Sequence, residues 1–121
     1  MIKIKRAYEP PEKKDGHRVL IDRMWPRGIK KEELEFDEWE KELAPSKELR
    51  EYFGHEVSKW KTFQSRYKKE LRSPEAKEKL AALAKKGFKK NLTLVYGAKD
   101  EEHNNAVVLK EVIEKINERN S

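Results

Sequence analysis

The stretch Arg18-Val19-Leu20-Ile21-Asp22-Arg23-Met24-Trp25-Pro26-Arg27-Gly28 decides the fold that the chain is expected to adopt. Its three consecutive apolar residues, Val19 to Ile21, are typical of a strand that is buried on both faces of a parallel sheet. Asp22 ends this run, and the proline and glycine that follow are typical of a loop. The stretch therefore predicts a buried strand over 18–22 and a charged loop directly after it.

A second strand of the same kind is Leu92–Tyr96, which is apolar, contains β-branched residues and ends at Gly97. The segment between the two strands has helical patterning, and parallel neighbours require such a crossover connection. We therefore expect both strands to lie parallel in one sheet with helices packed on it, an α/β fold. A further strand at 2–5 alternates apolar and polar residues, and its short connection leaves its orientation open.

Local signals between and after these strands mark where helices begin and end. Serine, aspartate and asparagine are typical N-caps, proline favours the first helical position, and glycine favours the helix end. In chain order, these signals are Asp37 with Glu40 as a capping box, Ser46 and Gly54 around 47–53, Ser73-Pro74 and Gly87 around a later helix, and Asn104 before the last helix. An apolar stripe at helical spacing predicts one more helix and consists of Val57, Trp60, Phe63, Tyr67 and Leu71.

Length and composition indicate one domain that spans residues 1–121. Only 36% of the residues are hydrophobic and 43% are charged, but the apolar residues recur at regular periods, which favours a folded chain. The absence of cysteine excludes disulfides, a thiolate nucleophile and zinc sites with cysteine ligands. Since no apolar run approaches the ~20 residues that span a bilayer, we expect a cytoplasmic protein with no membrane contact.

The candidate functional residues lie in the two loops that follow the buried strands. Ligands of parallel α/β sheets bind beyond the carboxyl ends of the strands, so both loops are expected to open on one edge. The candidate catalytic residues are Asp22, Arg23, Arg27, Lys99, Asp100 and His103, and the candidate ligand-binding residues are Arg23, Trp25, Arg27, Lys99 and Asn104. Guanidinium groups bind phosphate or carboxylate through a planar fork of donors, and histidine can act as acid or base.

Each candidate also has a structural interpretation. Arg23 and Arg27 could pair with acidic side chains of the segment that follows, and Asp22 could anchor Arg27 or a backbone amide. Trp25 could cover the core, and Asn104 could be only a helix N-cap. Lys99 and Asp100 could form a surface pair, since lysine is ordinarily exposed.

Other chemistries find no support in the sequence. The three histidines, at 17, 55 and 103, lie in separate regions without the paired spacing of a metal site, so no metal is expected. No serine has the context of a nucleophile elbow, and Gly28 and Gly97 stand outside any phosphate-binding or dinucleotide-binding glycine motif. We therefore predict no cofactor.

Several motifs resemble the YeaO-like family, the short members of domain-of-unknown-function family 488. They are Lys5-Arg6-Ala7-Tyr8, the run from Asp15 to Gly28, Asp37-Glu38-Trp39, Leu43-Ala44-Pro45-Ser46 and Tyr96-Gly97-Ala98-Lys99. The resemblance covers nearly the whole chain and implies a compact α/β protein with a Rossmann-like layered sandwich, but no assigned activity. Longer relatives carry a cysteine- and histidine-bearing segment after the last strand, where this chain has Tyr96 and His103-Asn104-Asn105. Thiol chemistry is therefore not implied for this chain.

The net charge of +6 is unevenly distributed and leaves three function classes open. Residues 1–31 carry ten basic and four acidic side chains, segment 32–60 is acidic, and segment 61–90 is basic. In the first class, the chain binds a small anionic or phosphate-bearing ligand at the two loops. An extension of this class is an enzyme that transforms the bound ligand. The second is a nucleic-acid-binding module with the basic face 59–90, and the third is a noncatalytic protein-interaction domain with the acidic residues 32–56. Whether the chain is an enzyme, and its oligomeric state, stay open at this point.

Overall fold

The structure of the chain, a computed structural model, describes residues 1–120. Its strands are β1 (Ile2–Arg6), β2 (His17–Leu20), β3 (Glu38–Trp39) and β4 (Leu92–Tyr96). They form one sheet in the order β1-β4-β2-β3, in which every neighbouring pair is parallel. With helices packed on this sheet, the predicted α/β fold is confirmed, including the parallel arrangement of β2 and β4.

The helices are α1 (Lys47–Phe53), α2 (Trp60–Glu70), α3 (Pro74–Lys89) and α4 (Asn105–Asn120). Their starts follow the predicted caps, because the Ser46 and Ser73 hydroxyls each accept a backbone N–H at 3.2 Å. Asn104 does the same before α4, where its Oδ1 accepts the Val107 N–H at 3.1 Å. Gly54 ends α1 in the left-handed conformation at φ 49°. Within residues 1–120, no helix is long and apolar enough to cross a membrane.

Two local predictions are wrong, and both failures have tertiary causes. Gly87 does not end α3, which continues to Lys89. Its missing side chain instead allows β1 to approach, because a Cβ atom there would overlap the Cδ1 atom of Ile2. Asp37 and Glu40 do not form a capping box, since their backbone N–H groups donate to carbonyls of β2 at 2.8 Å and flank the short strand β3.

The positions of β1 and β2 are defined by their parallel pairing with β4. β1, whose orientation was open, pairs in parallel with β4, with Ile2 opposite Leu92. β2 begins at His17 and ends at Leu20, so it is shifted towards the N-terminus relative to the predicted 18–22. Ile21 still donates its N–H to the Val95 carbonyl at 3.1 Å. The loop with the candidate residues therefore leaves the sheet beside the end of β4.

The apolar residues form two clusters, and successive residues of β2 belong to different ones. Val19 and Ile21 lie in the larger cluster, which contains the buried residues of all four helices. Leu20 lies in the smaller cluster with Leu34 and Val95, against which Trp25 packs. Since side chains alternate along a strand, the helices cover one face of the sheet and the loop after β2 covers the other.

A buried ion cluster holds the start of β2. The Arg18 guanidinium lies 2.6 Å from Asp15, and their side chains are 6% and 3% exposed. Lys5 contacts the same carboxylate at 3.1 Å, and the Glu12 N–H donates to it at 2.9 Å. Burial alone would raise the pKa of Asp15, but these hydrogen bonds outweigh it and hold the pKa below its ordinary value. The cluster therefore stabilises the native state through a charged carboxylate.

Candidate ligand-binding cavity

A cavity of about 440 Å³ opens beyond the carboxyl ends of β2 and β4. Both loops contribute to its walls, together with α1 and the residue pair at the start of α4. The lining residues with charged or titratable side chains are Tyr8, Asp22, Arg23, Arg27, Arg50, His55 and His103. The two loops therefore meet in space, at the edge of the sheet where ligands of parallel α/β folds bind.

Asp22 joins the two loops at the floor of this cavity. Its Oδ2 accepts the backbone N–H of Gly97 at 2.8 Å, and its Oδ1 accepts from Asn105 Nδ2 at 3.1 Å. Its own carbonyl accepts from the Trp39 indole at 2.7 Å. Of the two structural interpretations, anchoring of a backbone amide is the one that the structure shows.

Burial raises the pKa of Asp22 above its ordinary value. The hydrogen bonds from Asn105 and Gly97 and the positive charges of Arg50 and His55 act in the opposite direction but do not outweigh burial. The carboxylate is therefore destabilised relative to its protonated form.

The three cavity arginines make no ion pair within the described chain. Arg23 is partly buried and Arg27 is exposed, and neither pairs with the acidic side chains of 32–35. Some other cations of the protein do form ion pairs, as Lys79 does when it contacts Glu40 at 2.9 Å. The guanidinium groups of the cavity are thus available to an external anion.

Arg50 has the most unusual environment of the three. Its Nε atom is buried and has no hydrogen-bond partner among residues 1–120. A buried donor that lacks a partner costs about 1–3 kcal/mol, so an acceptor from a ligand or water would be stabilising there. Phe53 lies three residues further along α1 and also lines the cavity, which places a cation and an aromatic ring side by side.

Trp25 serves the core and the cavity at once. Its indole N–H donates to the Ile29 carbonyl at 2.6 Å, and its ring meets the rings of Trp39 and Phe36 edge-on at 5.6 and 5.9 Å. The interpretation of Trp25 as a cover for the core is therefore confirmed. The residue also lines the cavity, with its only polar atom already bonded.

His103 also lines the cavity and is held by two neighbours. Its Nδ1 lies 2.9 Å from Asp100 Oδ2, and its ring meets the Trp60 ring edge-on at 5.2 Å. The pKa of Asp100 lies below its ordinary value, because its carboxylate accepts hydrogen bonds from the Glu102 N–H, which has the largest effect, and from the His103 side chain and N–H. The charged carboxylate orients the imidazole, which lines the cavity while Asp100 itself does not.

Comparison with known proteins places the chain in a family. The family model described as the inactive DUF488-N3 subclade matches residues 1–121. The chain belongs to this family. The uncharacterised protein YeaO of Escherichia coli (strain K12) is 50% identical over 109 residues, which cover 89% of this chain and 92% of YeaO. The uncharacterised protein Rv3073c of Mycobacterium tuberculosis (strain H37Rv) is 38% identical over 112 residues, 93% of this chain and 92% of that protein.

No solved structure shows significant similarity to the chain. The resemblance to the YeaO-like members of family 488 is confirmed by the two sequence comparisons. The names of these relatives assign no activity, ligand or partner.

Most of the residues predicted from the sequence lie around the cavity. Those in the lining are Asp22, Arg23, Trp25, Arg27, His103 and Asn104. Lys99 is exposed and, like Asp100, lies outside the lining. Asn104 lines the cavity, but both ends of its side chain are used within the protein, since Nδ2 donates to the Asp100 carbonyl at 2.9 Å and Oδ1 caps α4.

Several lining residues were missed from the sequence. Arg50 and His55 come from α1 and the turn after it, and Tyr8 follows β1 and donates its hydroxyl to the Arg27 carbonyl at 2.8 Å. No local pattern marks Arg50, whose position on a short amphipathic helix is typical of an ordinary surface cation. Asn105 could have been found, because it directly follows the candidates His103 and Asn104 at the start of the helix after β4. Within residues 1–120, no group of three or more histidine, aspartate or glutamate side chains could hold a metal ion.

Proposed function

We propose that the chain binds a small anionic ligand with a phosphate or carboxylate group in the cavity between the loops after β2 and β4. The observation that carries this proposal is the set of three arginines around one cavity without an ion-pair partner in the described chain. Guanidinium groups that converge on one space bind phosphate or carboxylate through charge-assisted hydrogen bonds. The anion would lie among Arg23, Arg27 and Arg50.

The electrostatics of the cavity support the same ligand. The only acidic side chain in the lining is Asp22, whose pKa is raised by burial and whose two oxygens are bonded inside the protein. The start of α4 adds the positive end of a helix dipole, since Asn105, its first residue, lines the cavity. An anion in this space would therefore meet positive charge from side chains and backbone together.

Binding rather than turnover is the function that we favour for this cavity. The family is described as an inactive subclade, which argues against a chemical step for this chain. Two of the predicted catalytic candidates, Asp22 and His103, are each engaged in structural contacts.

The two alternative functions receive less support. In the basic face 59–90, Tyr67 is fully buried and Phe63 is 2% exposed, so these two rings are not free to stack on bases, and Phe88 is the one strongly exposed ring described in this face. Lysines of this face pair with acids, among them Lys86 with Glu38. Glu38 belongs to the acidic segment 32–56, which the third function class assigns to a basic partner. Both charged faces are thus partly neutralised within the molecule.

Titration of inorganic phosphate by calorimetry at moderate salt tests the proposal. Arg23→Ala and Arg27→Ala should each weaken phosphate binding by about tenfold or more, since a hydrogen bond to a charged group contributes ~1.5–3 kcal/mol. Arg27→Ala should change the unfolding free energy by no more than about 1 kcal/mol, because the side chain is exposed and has no ion pair.

Lys99→Ala is the matched control. It removes one positive charge from the same edge of the sheet but from outside the lining, so phosphate affinity should change less than about twofold at moderate salt. Equal losses in all three variants would indicate diffuse attraction and no defined site. If the protein binds RNA or DNA with a dissociation constant below about 10⁻⁶ M at physiological salt and does not bind phosphate, the nucleic-acid alternative is favoured.

A further inference from the structure

We propose that the ligand is an anion that carries a flat apolar group, such as an aryl phosphate or aryl carboxylate, and is not a free inorganic ion. This inference rests on the proposed anion site and specifies the chemical class of its occupant. It follows from the apolar part of the same lining, from the fixed orientation of its rings and from the size of the cavity.

Apolar side chains make up a large part of the cavity wall. They are Met24, Trp25, Pro26, Ala44, Pro45, Phe53, Phe63 and Ala98. Phosphate alone would gain nothing from these residues, because transfer of apolar surface out of water is favourable only when the ligand also has apolar surface to bury. A site that evolved for a bare ion would not need such a wall.

The rings in this wall are held in place before any ligand binds. Phe53 and Phe63 are stacked with centroids 4.4 Å apart and an angle of 23° between their planes. Trp25 is fixed by its hydrogen bond to Ile29 at 2.6 Å, so its ring contributes aromatic surface with no free polar atom. Fixed aromatic surfaces favour flat groups, which can stack or meet them edge-on at little entropic cost.

Cationic and apolar groups alternate along the elements that build the cavity. Met24 and Trp25 lie between Arg23 and Arg27 in the loop after β2, and Phe53 lies one helical turn from Arg50 in α1. A ligand whose anionic group reaches an arginine therefore brings its remaining atoms against a ring or the Met24 side chain. Planar guanidinium groups also stack on flat groups, which adds to the same preference.

The cavity is also larger than an inorganic anion requires. Its volume of about 440 Å³ lies in the range of pockets for small organic ligands. Met24 lines the cavity and is 68% exposed, so a ligand that covers this side chain removes its apolar surface from water.

Three phosphate esters that share one anionic group test this inference by calorimetry. Phenyl phosphate should bind at least about tenfold more tightly than methyl phosphate, because the ring buries additional apolar surface. Cyclohexyl phosphate, which has a similar size but is not flat, should bind about threefold more weakly than phenyl phosphate. Met24→Ser should reduce the preference for phenyl over methyl phosphate by about threefold.

Phe88→Ser is the matched control, because Phe88 is 66% exposed and lies outside the cavity lining. It should leave all three affinities unchanged. Equal affinity for phenyl and methyl phosphate would overturn the inference while the anion site itself stands. Equal affinity for phenyl and cyclohexyl phosphate would overturn the preference for a flat group. If none of the three esters binds, the proposed anion site fails together with the inference.

Discussion

Arg50→Met separates a role of Arg50 in ligand binding from a role in the fold. The buried Nε of Arg50 has no hydrogen-bond partner in the described chain. Methionine keeps most of the apolar stem of arginine and removes the charged head, so packing against α1 and its neighbours is largely retained. The substitution should therefore affect stability and binding in different directions.

The expected change in stability is small or favourable. Removal of a buried unsatisfied donor relieves a cost of about 1–3 kcal/mol, and loss of the attraction between Arg50 and Asp22 offsets part of that gain. We expect the unfolding free energy of the ligand-free protein to stay unchanged or to rise by about 1 kcal/mol. Urea unfolding, with equal m values in both proteins, measures this difference.

The expected change in binding is a loss. An anion that accepts a hydrogen bond from the Arg50 guanidinium gains ~1.5–3 kcal/mol, so its removal should weaken phosphate binding by about 10- to 100-fold. Arg72→Met is the control, because Arg72 is exposed in the turn after α2 and lies outside the lining. Destabilisation by more than about 2 kcal/mol, or an unchanged phosphate affinity, would refute the reasoning.

Two further predictions concern buried carboxylates. Because burial raises the pKa of Asp22, the native state binds this proton more tightly than the unfolded chain does, and the contribution of Asp22 to stability falls as the pH rises above about 4, the ordinary pKa of aspartate. Asp22→Asn should therefore become more stable relative to the unchanged protein as the pH rises, and urea unfolding at several pH values would contradict this if the difference stayed constant. Asp15→Ala should lower the unfolding free energy by about 3–5 kcal/mol, because it leaves the buried Arg18 charge uncompensated. The exposed Glu12→Ala should cost far less in the same measurement, and equal losses would argue against a special role for the buried pair.

The parts of the fold that could be predicted from the sequence are those with local causes. Ser46 and Ser73 signal their helices because each hydroxyl satisfies an N–H only three residues away. The buried strands β2 and β4 could be recognised from their continuous apolar runs, and their parallel pairing follows from the length of the connection. The strand β3 could not be found in this way, because it has only two residues and no period.

The sequence by itself determined the α/β fold and the loop from Asp22 to Arg27 as the main wall of the candidate site, because strand patterning and the carboxyl-edge rule need no knowledge of distant contacts. Only the tertiary structure decided that Arg50 joins this loop, that Lys99 stays outside the cavity, and that Gly87 continues a helix against β1. Local signals act over a few residues of the chain. The lining of a cavity depends instead on how a helix lies against a loop far away in sequence, and that arrangement results from the packing of the whole core.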